Sequence, residues 1–261
     1  MKEKTQRTWG SRASAPVLPL IGVTVFVAVW WLSKILFDIK SVILPAPPEI
    51  IESFLDQPGY LLEQAWATFT TIMIGYGTAC VGAITVAMIL SASRTIERAT
   101  MPLLVALNSI PKVALAPLLV VWLGFGRGPK IALVIVICFL PIVVASMAGL
   151  TSTPSDLGEL SRALSSSWWQ AYVKIRLPWA LPQIFVGLKV AITLAVIGAV
   201  VAEIQNPDRG LGSVIALSGA SLDTALAFAS IVLLATISVS LYYLTVLAER
   251  LLLPWAREIA G

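Results

Sequence analysis

Apolar blocks near 20 residues long alternate with short polar breaks along this chain, and that is the length a helix needs to cross about 30 Å of hydrocarbon. No period-two alternation competes with them over a comparable stretch. Backbone polar groups in lipid must be satisfied within their own segment, so such blocks read as membrane-spanning helices. Six spans are expected, at roughly 17–37, 67–90, 101–123, 131–151, 183–203 and 226–247. The expected fold class is an all-α integral membrane protein, with one transmembrane domain over 17–261 behind a polar tail at 1–16.

Polar and proline residues inside the blocks modify this pattern. Pro102, Pro111, Lys112 and Pro117 interrupt the third span, which reads as broken or partly re-entrant and turned toward the bundle interior. Polar groups at membrane depth mark a pathway or a partner. The candidates for a translocation path are Asn108, Ser109 and Lys112 in the third span, Ser146 in the fourth, and Thr193 and Glu203 in the fifth. For Lys112 a second reading stands beside the first: a proline-broken span leaves it near a surface, where it snorkels. Lys189 and Glu203 are 14 positions apart, about 21 Å along a helix, so they cannot pair with each other. Pro141 predicts a kink in the fourth span. Gly75, Gly77, Ala79, Gly82 and Ala83 predict close helix approach along the second.

Two connecting segments carry some character of their own. Leu44 to Pro48 reads as extended, followed by a short helix from Glu49 to Leu55 with Ile50, Ile51, Phe54 and Leu55 on one face. That helix is either a surface connector lying along the interface or a docking surface for an outer partner. Residues 205–212 are rich in breakers and read as an outer turn. Their glycines are no phosphate loop, since no strand precedes them and no Lys-Ser/Thr follows.

Composition narrows the class further. Hydrophobic residues make up 58% of the chain and charged residues 12%, about half the charge of an ordinary soluble domain. With the amino terminus placed in the cytoplasm, eleven of the 18 Lys and Arg fall inside and five outside, which predicts both termini cytoplasmic. The net charge of +4 then reflects membrane orientation and not nucleic-acid binding. The first apolar block is too long for an ordinary signal core and reads as a retained anchor. Cys80 and Cys138 both lie within spans and read as small packing residues. Histidine is absent, which excludes a His-based metal site or triad, so neither an enzyme nor a cofactor is expected.

The loop at about 152–182 is a polar, helix-forming island between two apolar spans. Pro154 and Ser155 open a first helix, with Asp156 and Glu159 in its first turn, where the helix dipole favours acids. It runs to about Leu164 and is broken by Ser165 to Ser167. Ser167 with Gln170 forms a capping-box pattern for a second helix. That helix carries Trp168, Ala171, Tyr172 and Ile175 on one face, and Leu177-Pro178 is expected to end it. Two readings fit: a compact knob seated in a groove of another protein, or an amphipathic helix resting on lipid.

This segment resembles the conserved EAA loop of bacterial ATP-binding-cassette importer permeases. Glu159-Leu160-Ser161 stands at the E-A-A positions, Ser165 at the glycine position, and Ile175-Arg176-Leu177-Pro178 at the later apolar-x-Leu-Pro. The likeness extends along the chain from about residue 17. Ser109-Ile110-Pro111, Ala114 to Leu118, Trp122 to Gly126, Val201-Ala202-Glu203, Gly210-Leu211-Gly212 and Leu252 to Trp255 are similar to the subfamily for nitrate, sulfonate, taurine and related solutes. Members for thiamine-precursor pyrimidines and riboflavin look alike, so the solute stays open.

The resemblance implies a type I importer permease of about six spans in the bacterial inner membrane, with a cytoplasmic coupling loop between spans four and five. It implies a homodimer working with two ATPase subunits and an extracytoplasmic solute-binding protein. Glu159, Ser161, Arg162, Ala163, Ser165, Trp168, Trp169, Tyr172, Ile175, Leu177 and Pro178 would be the ATPase-coupling residues, with Trp168 and Tyr172 as anchors in the ATPase groove. The rival reading is an ATP-independent channel or secondary carrier.

Overall fold

The computed structural model describes residues 17–154 and 167–255, which are helical apart from short turns. Helix α1 (Val17–Leu36) leads by a short linker to α2 (Pro47–Asp56) and α3 (Pro58–Leu90). Then come α4 (Arg94–Asn108), a 3-10 turn (Lys112–Leu115), α5 (Ala116–Leu123) and α6 (Arg127–Thr151). Helix α7 runs over Trp169–Gln205, and α8 (Leu211–Ala220) and α9 (Thr224–Leu252) follow.

Helix α6 is the centre of the bundle, packed between α3 and α7. Val134, Cys138, Ile142 and Met147 of α6 meet Ile72, Ala79 and Ala83 of α3, and Ile184, Ala191 and Ala195 of α7. Small side chains let the backbones approach: a Cβ on Gly187 would lie 2.5 Å from Ala145 Cβ, so α6 and α7 could not stay this close with any larger residue there. Of the small residues predicted to pack in α3, Gly75, Ala79 and Ala83 are buried, Gly82 is half-buried and Gly77 is exposed. The cysteines are both free, and Cys138 donates to Ala191 O at 3.2 Å. Phe26, Ile35, Val81 and Leu251 turn outward, which suits a hydrocarbon solvent.

Among the described residues four helices are long and apolar enough to cross a membrane: α3, α6, α7 and α9. Helices α4 and α5 together make a fifth candidate, bent by 75° between Asn108 and Lys112. Helix α1 counts as a shorter apolar helix over its described side chains, so the described residues show four such helices, or five with the bent pair, against six spans expected. The break falls at Pro111 alone; Pro102 is carried within α4 and Pro117 in the first turn of α5. Proline is tolerated there because a first-turn N–H has no intrahelical partner to lose.

Three boundaries depart from the sequence expectation. Helix α3 begins at Pro58, not at 67, because the apolar count registers only the hydrocarbon-length part of a 33-residue helix. The expected stop at Leu177-Pro178 does not occur. The backbone widens into a π-turn at Tyr172–Arg176, where Leu177 N–H donates five residues back to Tyr172 O. The extra residue in that turn gives room for the Pro178 ring and places its missing N–H where the α-ladder is already interrupted. Leu211 and Gly212 close the expected outer turn and 213–220 carry no expected element; together they form helix α8, with Leu211, Val214 and Ser218 buried against α7 and α9.

Candidate functional site

At the loop end of the bundle, Glu159, Ser161, Arg162, Ala163 and Ser165 lie outside the described residues. The second helix begins as its sequence predicts: Ser167 N–H donates to Gln170 Oε1 at 3.1 Å, and Gln170 N–H to Ser167 Oγ at 3.3 Å. Trp169 is 67% exposed, whereas Tyr172 is 4% exposed. The Tyr172 hydroxyl donates to Met88 O at 2.9 Å and lies 2.7 Å from Ser91 Oγ, both at the end of α3. Tyr172 therefore cannot be an outward anchor; it ties the foot of α7 to α3. A helix period gives a face but does not tell an inward one from an outward one. Ile175, Leu177 and Pro178 are half-buried in the same region. Removing the phenol with Tyr172→Phe breaks a buried hydrogen-bonded group and should cost about 1–2 kcal/mol. Thermal unfolding of the purified protein checks this, and an unchanged midpoint would discount the tie.

At the opposite end, Glu203 is 1% exposed and organises the turn after α7. Its Oε2 accepts from Thr68 Oγ1 at 3.0 Å and from Gly212 N–H at 2.9 Å. Thr68 Oγ1 in turn accepts from Leu211 N–H at 2.8 Å, and Gln64 Oε1 accepts from Gly210 N–H at 2.7 Å. Buried Lys130 pairs with Asp208 and donates to Arg209 O at 2.8 Å. Burial works against the Asp208 carboxylate, but the Lys130 ammonium and the Arg209 amide outweigh it and hold its pKa below the ordinary value. Asn206 Nδ2 donates to Gly126 O at 3.0 Å, so the turn is stitched to α3 and to the start of α6. Nearby, Lys34 reaches Glu49 at 2.6 Å, and this hydrogen bond lowers the Glu49 pKa. It also fixes α2 to α1. On α2 the expected single apolar face is divided, with Ile50 buried and Phe54 packed on the core while Ile51 and Leu55 are exposed.

The six polar candidates within the spans separate into two groups. Glu203 and Ser146 are sealed inside the bundle, so neither side chain faces an opening in it. Sequence reasoning placed both on a path because depth in a span is visible and orientation is not. Asn108, Ser109 and Thr193 are exposed and Lys112 is half-buried. Thr193 lies on an open stripe of α7 made by Val186, Val190, Ile197 and Ile204, although the opposite side of α7 is packed into the bundle. Helix α5 packs Ala116 and Leu119 beside Ala202 and Leu194 of α7, which brings the α4–α5 joint to the edge of that stripe. Sequence reasoning missed the partner of Lys189: its Nζ lies 2.9 Å from Glu249 Oε2, linking α7 to α9.

A membrane bundle with a sealed polar plug at one end, an aromatic-footed helix at the other and an open face along its longest helix is the frame of a transport subunit. The chain matches, over residues 72–258, the family described as binding-protein-dependent transport system inner membrane component. It belongs to that family, and is a permease subunit of the ATP-binding-cassette importer class. It is 32% identical over 225 residues to a probable ABC transporter permease protein of Haemophilus influenzae, covering 86% of this chain and 92% of that one. It is 33% identical over 243 residues to the riboflavin transport system permease protein of Chloroflexus aurantiacus, covering 92% and 91%. It is 29% identical over 259 residues to the taurine transport system permease protein of Escherichia coli, covering 96% and 94%. Its fold is also that of a chain in the MetNI methionine ABC transporter, with a TM-score of 0.64 at 22% identity, over 76% of this chain and 97% of that one.

Proposed function

We propose that this permease works as a homodimer whose open α7 faces line the translocation path, with two ATPase copies on the loop side and a solute-binding protein on the other. The loop at about 152–182 is then cytoplasmic, as are both termini. The observation that carries this reading is the continuity of α7. One 37-residue helix, widened to a π-turn at Tyr172–Arg176 but otherwise continuous, connects the loop to the plugged far end. A push on its foot is thus delivered to the face bearing Thr193. Tyr172 passes the same displacement to α3 through Met88 and Ser91. Glu159, Ser161, Arg162, Ala163 and Ser165 complete the coupling surface by resemblance, and Trp169 takes the outward role first given to Tyr172.

Asn108, Ser109, Lys112 and Thr193 are the proposed path residues; Ser146 and Glu203 serve packing and the plug. ATP hydrolysis resides in the partner subunit. The solute is a small molecule of the taurine, sulfonate or nitrate type, or of the riboflavin and pyrimidine type. The test is assembly. Trp169→Ala is expected to lower ATPase co-purification at least about tenfold, the loss of one well-buried aromatic anchor, while leaving the permease monodisperse. Full co-purification and unchanged uptake with Trp169→Ala would overturn the coupling surface.

A further inference from the structure

Lys34, Lys130 and Lys189 each have a carboxylate partner, in Glu49, Asp208 and Glu249. Lys112 has none among the described residues. Its Nζ donates to two neutral acceptors, Asn108 O at 3.1 Å and Asn108 Oδ1 at 3.0 Å. The side chain folds back on the residue four positions earlier. A snorkelling lysine would extend toward a headgroup; this one keeps its charge within the joint.

The joint itself is placed where a solute would pass. It lies between the two halves of a bent span pair, and α5, which follows it, packs against Leu194 of α7. Thr193 is next in sequence and sits on the open stripe. An unneutralised cation at membrane depth is expensive and is tolerated where water or a counter-charge reaches it. The neighbouring polar groups favour a counter-charge. Because Asn108 Oδ1 is turned to Lys112, the amide presents its N–H₂ on the other side, a donor. Lys112 offers only N–H groups as well.

We infer that the α4–α5 joint is an oxyanion-recognition point, in which the Lys112 ammonium and the Asn108 amide meet the anionic head of a small solute such as a sulfonate or carboxylate. This rests on the permease reading and narrows its solute class. The two requirements are complementary: a solute anion supplies the missing counter-charge, and an ammonium on one neutral amide attracts it without the tight geometry of a fixed ion pair, so the anion can leave again.

The test uses the full complex with its ATPase in lipid nanodiscs, Cys80 and Cys138 replaced by Ala, and Ser109→Cys as the reporter. Two thiol reagents serve as probes, the anionic 2-sulfonatoethyl and the cationic 2-trimethylammonioethyl methanethiosulfonates. With Lys112 present the anionic reagent is expected to gain about tenfold over the cationic one, relative to the same ratio in Lys112→Gln, the effect of one unit charge a few ångströms away at intermediate dielectric. Lys112→Arg, which keeps the charge, should keep the preference. An unchanged ratio in Lys112→Gln would overturn the inference, as would a reporter that reacts with neither reagent. Both outcomes leave ATPase co-purification, which tests the permease reading, unaffected.

Discussion

Gly210→Val is expected to remove most of the folded protein, because two independent penalties fall on one position. Gly210 has φ +112° and ψ 162°, a region essentially confined to glycine that other residues enter at a cost of about 1–3 kcal/mol. A Cβ there would lie 2.2 Å from the Glu203 carboxyl carbon and within 2.5 Å of both its oxygens. Overpacking of that kind adds about 1–3 kcal/mol. The sum lies near 3 kcal/mol or above, enough to be read as a lowered unfolding midpoint in detergent and a reduced monodisperse fraction by fluorescence-detected size exclusion. Combining Gly210→Ala with Glu203→Ala should recover the packing part and retain the backbone part. A Gly210→Val protein that melts with the parent would mean that the turn is not held by Glu203.

The second large effect is predicted at Lys189 and Glu249, whose side chains are 22% and 24% exposed. Lys189→Leu leaves a carboxylate on α9 with no ammonium opposite it, and Glu249→Leu strands the lysine. Breaking a largely enclosed pair from one side costs about 3 kcal/mol, mostly the desolvation of the charge left behind. The exchanged pair, Lys189→Glu with Glu249→Lys, should recover most of that loss in stability and in uptake. Coupling energy from the double-mutant cycle is the readout. If each single variant matches the parent, the two residues are neighbours without being partners.

How much of this could be read from sequence depends on how far each cause lies along the chain. Local causes were legible: the apolar blocks, the interruption of the third span, though not its place at Pro111, and the capping box at Ser167 and Gln170. Distant causes were not. Glu203 is sealed by Thr68, 135 positions earlier, and Lys189 finds its partner 60 positions later. A span pattern fixes the depth of a residue but leaves its direction around the helix open, so Ser146, Glu203 and Thr193 looked equivalent although only Thr193 faces outward. Tyr172 failed for the related reason that an amphipathic face does not say what it meets. Pro178 was read as a stop because a proline inside a regular helix is costly, and the wide turn before it removes that cost.

That wide turn has a mechanical consequence. Helix α7 is about 55 Å long at 1.5 Å per residue. A tilt of about 5° about its foot would carry its far tip through about 5 Å, by simple leverage over that length. The π-turn, with Tyr172 pinned beside it, sits where the fulcrum of such a lever arm would be. Deleting one residue there would close the wide turn into a regular helix and remove its give at the fulcrum, while leaving the register of the far residues nearly unchanged.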